Sequence, residues 1–518
     1  MERKKRYMII KITTVIALIL GVIILSSSFN LAAPKKVDPK AIFEAYCGSC
    51  HLTPDPQDLP KDIWQNHVLP AMAARLGISY PNYNPEEGLK PAEIDTLKKH
   101  NYFPDQPLIS QNDWDIIVNY ILKKAPENDP LDNIRILRNR KLKQFIRKDF
   151  PIDGNPGSMI TGLKFNPVSK RLWIADINKT ISIWQYGKGV IKRIKTESPV
   201  VDFDFHGDTT YFTEIGNLYP TELYLGSFVQ YYNNTQTPLL TSLHRPVHGE
   251  VCDLDNDGIP EIVIANFGNK LGAFSIYKKN KITKKYDEQV LLPMPGATKF
   301  YICDMNGDGK KDIVALFAQG DESVYIFYQK QNLEFSAKRV LRFPPYYGST
   351  DLVLVDYNHD GHPDIVTAQG DNADFSEVLK SFHGIRLFLN DGKNNFSQKF
   401  FYPIYGATQV IADDFDQDGD IDFAVTSFFP DYGSLIDESF VYLENTNADK
   451  FRFKSFITKS DVPVKSLTMT EGDIDSDGDK DIMLGLFSHS PVFVQPELQQ
   501  KWDSSKNALT IFFNQLHH

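Results

Sequence analysis

Cysteine is scarce in this chain: four in 518 residues, two of them in one short motif. A disulfide-built scaffold is therefore excluded. A cysteine zinc site would need a second ligand pair, and the remaining two, Cys252 and Cys303, lie far downstream in a different kind of sequence. Basic charge is not in excess either. The 56 Lys and Arg face 66 Asp and Glu, a formal charge of −10, which argues against nucleic acid as a partner. No Ser-His-Asp set, paired-acid hydrolase signature or quinone-cofactor motif stands out. What the chain has instead is 31 Gly, 31 Pro and 12% aromatics, a turn-rich β composition with length for at least two cores. Many of its acids fall in short Asp clusters, which points to bound cations.

The first 33 residues read as a targeting segment. Glu2–Arg6 is basic, and Met8–Ser28 is apolar or small apart from Lys11, Thr13 and Thr14. Small residues at Ser26–Ser28 suit a cleavage site, while a run of about 20 apolar residues also suits an uncleaved membrane anchor. No Cys follows closely, which speaks against a lipoprotein anchor. Either way the rest is expected outside the cytoplasm, in a bacterial periplasm or at a cell surface.

Cys47-Gly48-Ser49-Cys50-His51 has the spacing of a c-type haem attachment site. Two thiols can add across one porphyrin edge, and the adjacent His then reaches the iron. A redox Cys-x-x-Cys would need a βαβ setting, which is absent. A helix is expected over Pro39–Tyr46. Another is expected over Asp113–Lys124, where Trp114, Ile117, Val118 and Ile121 share one face, Asn112 caps and Pro126 stops it. Residues 37–127 resemble the small all-α cytochrome c fold, whose first and last helices cross beside one covalent haem c. Met72 is the candidate distal ligand, although in small cytochromes c that Met usually lies further downstream. His67, His100 and an open site remain alternatives.

The second half repeats. Asp253, Asp255, Asp257 and Glu261 form the first set, and Asp304, Asn306, Asp308 and Asp312 the second. Asp356, Asn358, Asp360 and Asp364 follow, then Asp414, Asp416, Asp418 and Asp422, then Asp473, Asp475, Asp477 and Asp481. Each loop reads D-x-[DN]-x-D-G-x-x-[DE]. Side chains at positions 1, 3 and 5 can converge on a hard cation, Gly at position 6 turns the chain, and the ninth-position acid closes the shell. About five Ca²⁺ are expected, which would offset the formal charge. Sites two and three, with Asn for Asp, should be the weaker pair.

A buried strand follows each loop, then an aromatic strand and usually a fourth, as in Gln289–Leu292 and Lys338–Phe343. Four strands in roughly 50 residues make one propeller blade. Together with Asn390-Asp391-Gly392, the pattern resembles the FG-GAP or VCBS-type repeat of integrin-like propellers, which implies loops gathered on one face. Residues 157–245 suggest two further blades without loops. The fold expected is thus a small all-α cytochrome c domain (37–127), a linker (128–140) and an all-β seven-bladed propeller (141–518). The last repeat lacks a fourth strand, and residues 141–148 are expected to supply it beside 509–513. Cys252 and Cys303 are expected as buried free thiols. His248, His383 and Arg386 lie near expected blade strands and are read as surface or strand polar residues, with lining the channel as the alternative.

The function expected is electron transfer by an exported haem protein, with a redox protein or quinol as partner. The alternatives are a haem-linked dehydrogenase with an organic substrate on the propeller, or an adhesion or carbohydrate-binding propeller.

Overall fold

The computed structural model describes residues 38–128, 140–372 and 378–516. The targeting segment and most of the expected linker lie outside them. Among the described residues no helix is long and apolar enough to cross a membrane.

Residues 38–128 are helical. The first helix spans Pro39–Cys47, capped by Asp38, whose side chain accepts from the Lys40 N–H at 3.0 Å. The last spans Gln111–Lys124 and buries Trp114, Ile117 and Ile121. Its cap is Ser110, which accepts from the Asp113 N–H at 3.1 Å. The expected cap, Asn112, lies inside the first turn instead. Phe43, Trp64, Leu69, Ala73, Trp114 and Ile117 share one core, with Cys47 and Met72 packed at its edge.

The remainder forms seven four-stranded antiparallel sheets. Blades one and two begin at Ile160–Asn166 and Val200–His206. Blades three to seven begin at Pro246–Cys252, Ala297–Cys303, Ser349–Val355, Ala407–Asp413 and Ser466–Gly472. The first strands touch those of both neighbouring blades all the way round, so they are innermost. The second strands of blades three to six, such as Glu261–Asn266 and Asp312–Phe317, are buried at every residue. That explains why they read as unbroken apolar runs.

The seam closes in blade seven, whose sheet order is Phe145–Pro151, Asn507–Asn514, Asp481–Leu486, Ser466–Gly472. Phe145 pairs with Asn514 and Phe150 with Leu509. The closing strand is thus 145–151 rather than 141–148. Lys141 instead bridges to Ile457 at the outer edge of blade six, with the Leu142 N–H donating to the Ile457 carbonyl at 3.0 Å.

The helical region rests on the propeller at separated points. Glu93 Oε1 accepts from Thr221 Oγ1 at 2.6 Å and from the Glu222 N–H at 2.9 Å, in blade two. Tyr346, between blades four and five, donates to Asp58 and accepts from the Asp55 N–H at 3.2 Å. Val378 of blade five packs on the helical core. These connections leave the ends of the strands opposite to the five acidic loops, so the helical region covers one face and the loops lie on the other.

Candidate functional site

The five loops join first to second strands, and their backbone explains the motif. Position 4 is left-handed in each: φ is 58° at Asn256, 74° at Gly307, 57° at His359, 57° at Gln417 and 69° at Ser476. Position 6 is left-handed as well, from 81° at Gly309 to 103° at Gly478, which is why Gly stands there. The first Asp organises the turn. Asp253 accepts from the Asp257 N–H through Oδ1 and the Gly258 N–H through Oδ2, both at 3.0 Å. Asp304, Asp356 and Asp414 accept the equivalent pairs.

The ninth-position acids Glu261, Asp312, Asp364, Asp422 and Asp481 are fully buried. Burial pushes Asp364 up to about 6, and Asp422 and Asp481 up to about 7; Glu261 and Asp312 move the same way. A carboxylate so placed calls for a cation. Two buried oxygens fit that need: Glu261 Oε1 and Asp473 Oδ1 have no hydrogen-bond partner.

Ligand atoms converge within 4.8 Å for Asp253, Asp255 and Glu261, for Asp414, Asp416 and Asp418, and for Asp473, Asp475 and Asp481. These are the three all-acid loops. In the other two an amide takes part: Asn306 Oδ1 accepts from the Asp308 N–H at 2.9 Å, and Asn358 Nδ2 donates to Asp360 at 2.8 Å. Asp257, Asp422 and Asp477 stand outside their loops' three-acid groups.

Neighbouring ammonium groups escaped the sequence reading. Lys170 Nζ of blade one lies 2.9 Å from Asp473 of the fifth loop. Lys278 Nζ lies 2.6 Å from Asp255, 3.6 Å from Asp257 and 3.8 Å from Glu261, so an ammonium faces the first loop. The signal was the strand register. Lys278 follows Tyr277, the partner of Ile262, and the equivalent places in blades four to seven hold Tyr328, Leu389, Glu444 and Phe513.

At the thiol-histidine motif, Cys47 ends the first helix, Cys50 is exposed and His51 is half-buried. Burial pushes the Cys47 thiol up to about 12 and holds His51 below its ordinary value. His51 Nδ1 donates to the Leu52 carbonyl at 2.9 Å, which leaves Nε2 as the nitrogen for a metal. Asp321 and Arg342 of the propeller act electrostatically on His51. They pair with each other at 2.7 Å.

Cys252 and Cys303 are free and half-buried rather than buried. His248 lies on an innermost strand, 3.3 Å from Glu250. His383 and Arg386 do not. His383 precedes the third strand of blade five, and Arg386 on that strand is packed over the rings of Tyr347 at 4.4 Å and Phe401 at 4.3 Å.

The FG-GAP-like repeat model matches residues 253–315 and 304–367. A curated relative, the T-cell immunomodulatory protein homolog of Plasmodium falciparum (isolate 3D7), is 28% identical over 144 residues, 23% of this chain. The chain spans 19% of that relative's length. Among solved structures, Saccharomyces cerevisiae Sqt1 aligns over 73% of this chain and 100% of its own, at 7% identity and a TM-score of 0.42. The Neurospora crassa Pan2 WD40 domain aligns over 72% and 97%, at 13% identity and a TM-score of 0.43. The chain thus carries FG-GAP-like repeats on a seven-bladed all-β propeller.

Proposed function

We propose that this is an exported c-type haem protein that transfers electrons, with a cation-stabilised propeller as its scaffold or docking surface. The observation that carries the reading is the placement of Cys47, Cys50 and His51 at the end of one helix, with the imidazole's Nδ1 engaged by Leu52 and its Nε2 left for iron. Cys47 and Cys50 would hold haem c by thioether bonds, His51 would be the proximal ligand and Met72 the distal one. The haem would supply one-electron exchange at iron, and a thioether ligand raises its potential. A redox protein or a quinol is the partner this chemistry fits. The N-terminal segment would direct the chain out of the cytoplasm and anchor it to the membrane where uncleaved.

The five loops would hold Ca²⁺ through Asp, Asn and Glu oxygens, and the buried oxygens of Glu261 and Asp473 support that. A second reading, an adhesion-type propeller, is favoured by the match to FG-GAP-like repeats and by the loop face, which the helical region leaves uncovered.

The purified protein, denatured in alkaline pyridine and reduced, should show a haem c spectrum that stays with the chain, and Cys47→Ser with Cys50→Ser should abolish it. A wild-type protein made in a haem-c-competent host yet free of covalent haem would leave the adhesion reading. Met72→Ala should remove the near-infrared band of a thioether-ligated ferric haem. An unchanged band and potential would rule Met72 out.

A further inference from the structure

We propose that cation binding is coupled from loop to loop along blades three to seven, through amide side chains that blades four to seven supply. The proposal rests on the reading of the loops as cation sites.

In blade four the Gln329 N–H donates to Oδ1 of Asp312, the ninth-position acid of its own loop, at 2.8 Å. Its side-chain Nε2 donates to the carbonyl of Leu254, position 2 of the preceding loop, at 3.0 Å. In blade seven the Asn514 N–H donates to Asp481 at 2.9 Å, and its Nδ2 donates to the Phe415 carbonyl, again position 2 of the preceding loop, at 2.8 Å. In blade six the Asn445 N–H donates to Asp422 at 2.7 Å, and its Nδ2 donates to the hydroxyl of Tyr357, also position 2, at 3.1 Å. Blade five uses two amides. The Asn390 N–H donates to Asp364 at 2.7 Å, Asn390 Nδ2 donates to Asn394 Oδ1 at 3.0 Å, and Asn394 Nδ2 donates to the Met305 carbonyl at 2.6 Å.

The link is completed inside the loops. Position 2 donates its own N–H to the other oxygen of the ninth-position acid: Leu254 to Glu261 at 3.0 Å, Met305 to Asp312 at 3.0 Å, Tyr357 to Asp364 at 3.1 Å and Ile474 to Asp481 at 3.1 Å. With the Phe415 backbone donating likewise to Asp422, the buried acids from Glu261 to Asp481 are joined in sequence, each link made by one loop residue and one or two amides.

The register shows that the amide is placed for this purpose. Two residues beyond the partners Tyr277, Phe327, Phe388, Leu443 and Phe512 stand Lys279, Gln329, Asn390, Asn445 and Asn514. Among the five loop-bearing blades the amide is missing only in blade three, and blade one, which follows the fifth loop, has Tyr186 at the equivalent place. The predecessor of blade three, blade two, has no loop to hold: His206 pairs with Thr209 across a two-residue turn.

A loop that closes on a cation fixes its position 2 and its ninth-position acid. Both amides attached to it are then held, so the neighbouring loop has less ordering left to do when its own cation arrives. That is a positive coupling free energy, and it is reciprocal between neighbours. Hydrogen bonds of this kind leave the sites independent only if they stay unchanged as the loops fill.

Calorimetric calcium titration of the full-length, chelator-stripped protein tests this. The wild type should bind several ions with a Hill coefficient above one. Gln329→Met and Asn514→Leu, which keep the backbone N–H but remove the amide, should bind the same number with a coefficient nearer one. Lys279→Met, where no upstream loop exists, should leave it unchanged. Several ions bound with the same coefficient in the wild type and the amide variants would overturn the coupling and leave the cation sites standing. No calcium bound at all would remove both. Should one amide variant fail to fold, the other, set against the wild type and Lys279→Met, still decides.

Discussion

Lys278 and the ninth-position acids each give the loop face a testable charge effect. Lys278 brings a tethered ammonium to Asp255, Asp257 and Glu261, where a divalent ion must displace it. The first loop, with four acids, should therefore bind less tightly than its ligand set suggests. Lys278→Met should raise its calcium affinity severalfold, read by terbium luminescence competition in a background where the other loops are disabled. An unchanged or lower affinity would show that the ammonium does not compete. The acids also set a pH dependence. Asp364, Asp422 and Asp481 titrate near 6 to 7 when buried, above the ordinary carboxylate value of about 4. Their contribution to the metal-free fold is complete below that ordinary value and is lost as pH rises through about 6 to 7. In chelator, the melting temperature should fall between about pH 5 and pH 8, and less steeply in Asp422→Asn with Asp481→Asn. Calcium should remove the fall. A chelated melt that rises over this range would contradict the burial of these groups in neutral form.

At the level of strands and helices, much was legible because the repeat imposes it. The loop spacing, the apolar second strands and the aromatic third strands follow from one buried sheet repeated five times. The closing strand was legible in kind but shifted. Residues 141–148 look like Arg452–Lys459, yet Lys141 and Leu142 bond to the edge of blade six and the pairing with blade seven starts only at Phe145. Similarity to another fourth strand could not reveal which edge each residue meets. The helix Pro496–Ser504 was not read at all, since only Trp502 is buried, with its Nε1 donating to the Pro463 carbonyl at 2.9 Å. The amide linkage was hidden because its partners are far apart in sequence, although the Asn and Gln at the third-strand ends were in view. The closing strand predicts a contrast between neighbours. Phe145 is buried against Phe415 and Tyr442, with ring centroids at 5.7 and 5.2 Å, while Ile146 is 47% exposed. Phe145→Ala should cost about 3–5 kcal/mol and Ile146→Ala well under ~1 kcal/mol, both read by denaturant melts. Equal losses would mean that the seam does not depend on this packing.

For the whole molecule, the decisive arrangement is two unlike faces, the helical region on one and the acidic loops on the other. The helical region meets the propeller through the Glu93 and Tyr346 hydrogen bonds and Val378, and its thiol-histidine motif lies toward Asp321 and Arg342. Among the described residues few polar contacts hold it, so removing them should free it without melting the propeller. Glu93→Ala with Tyr346→Phe should raise the radius of gyration in small-angle X-ray scattering and leave the main thermal transition in place. An unchanged radius would place the hold in apolar packing instead.

The seam has a further consequence during synthesis. Residues 145–151 emerge before any other strand of the propeller, yet their partner, Asn507–Asn514, follows every other strand of the ring. Pairing across so long a stretch of chain is intrinsically slow. While the nascent polypeptide leaves the ribosome or crosses a membrane, its first strand waits with an unsatisfied edge, and such edges invite pairing with other chains. Arg147, Lys148 and Asp149 place charge along that waiting segment, which suits an element that must stay single until the last blade arrives.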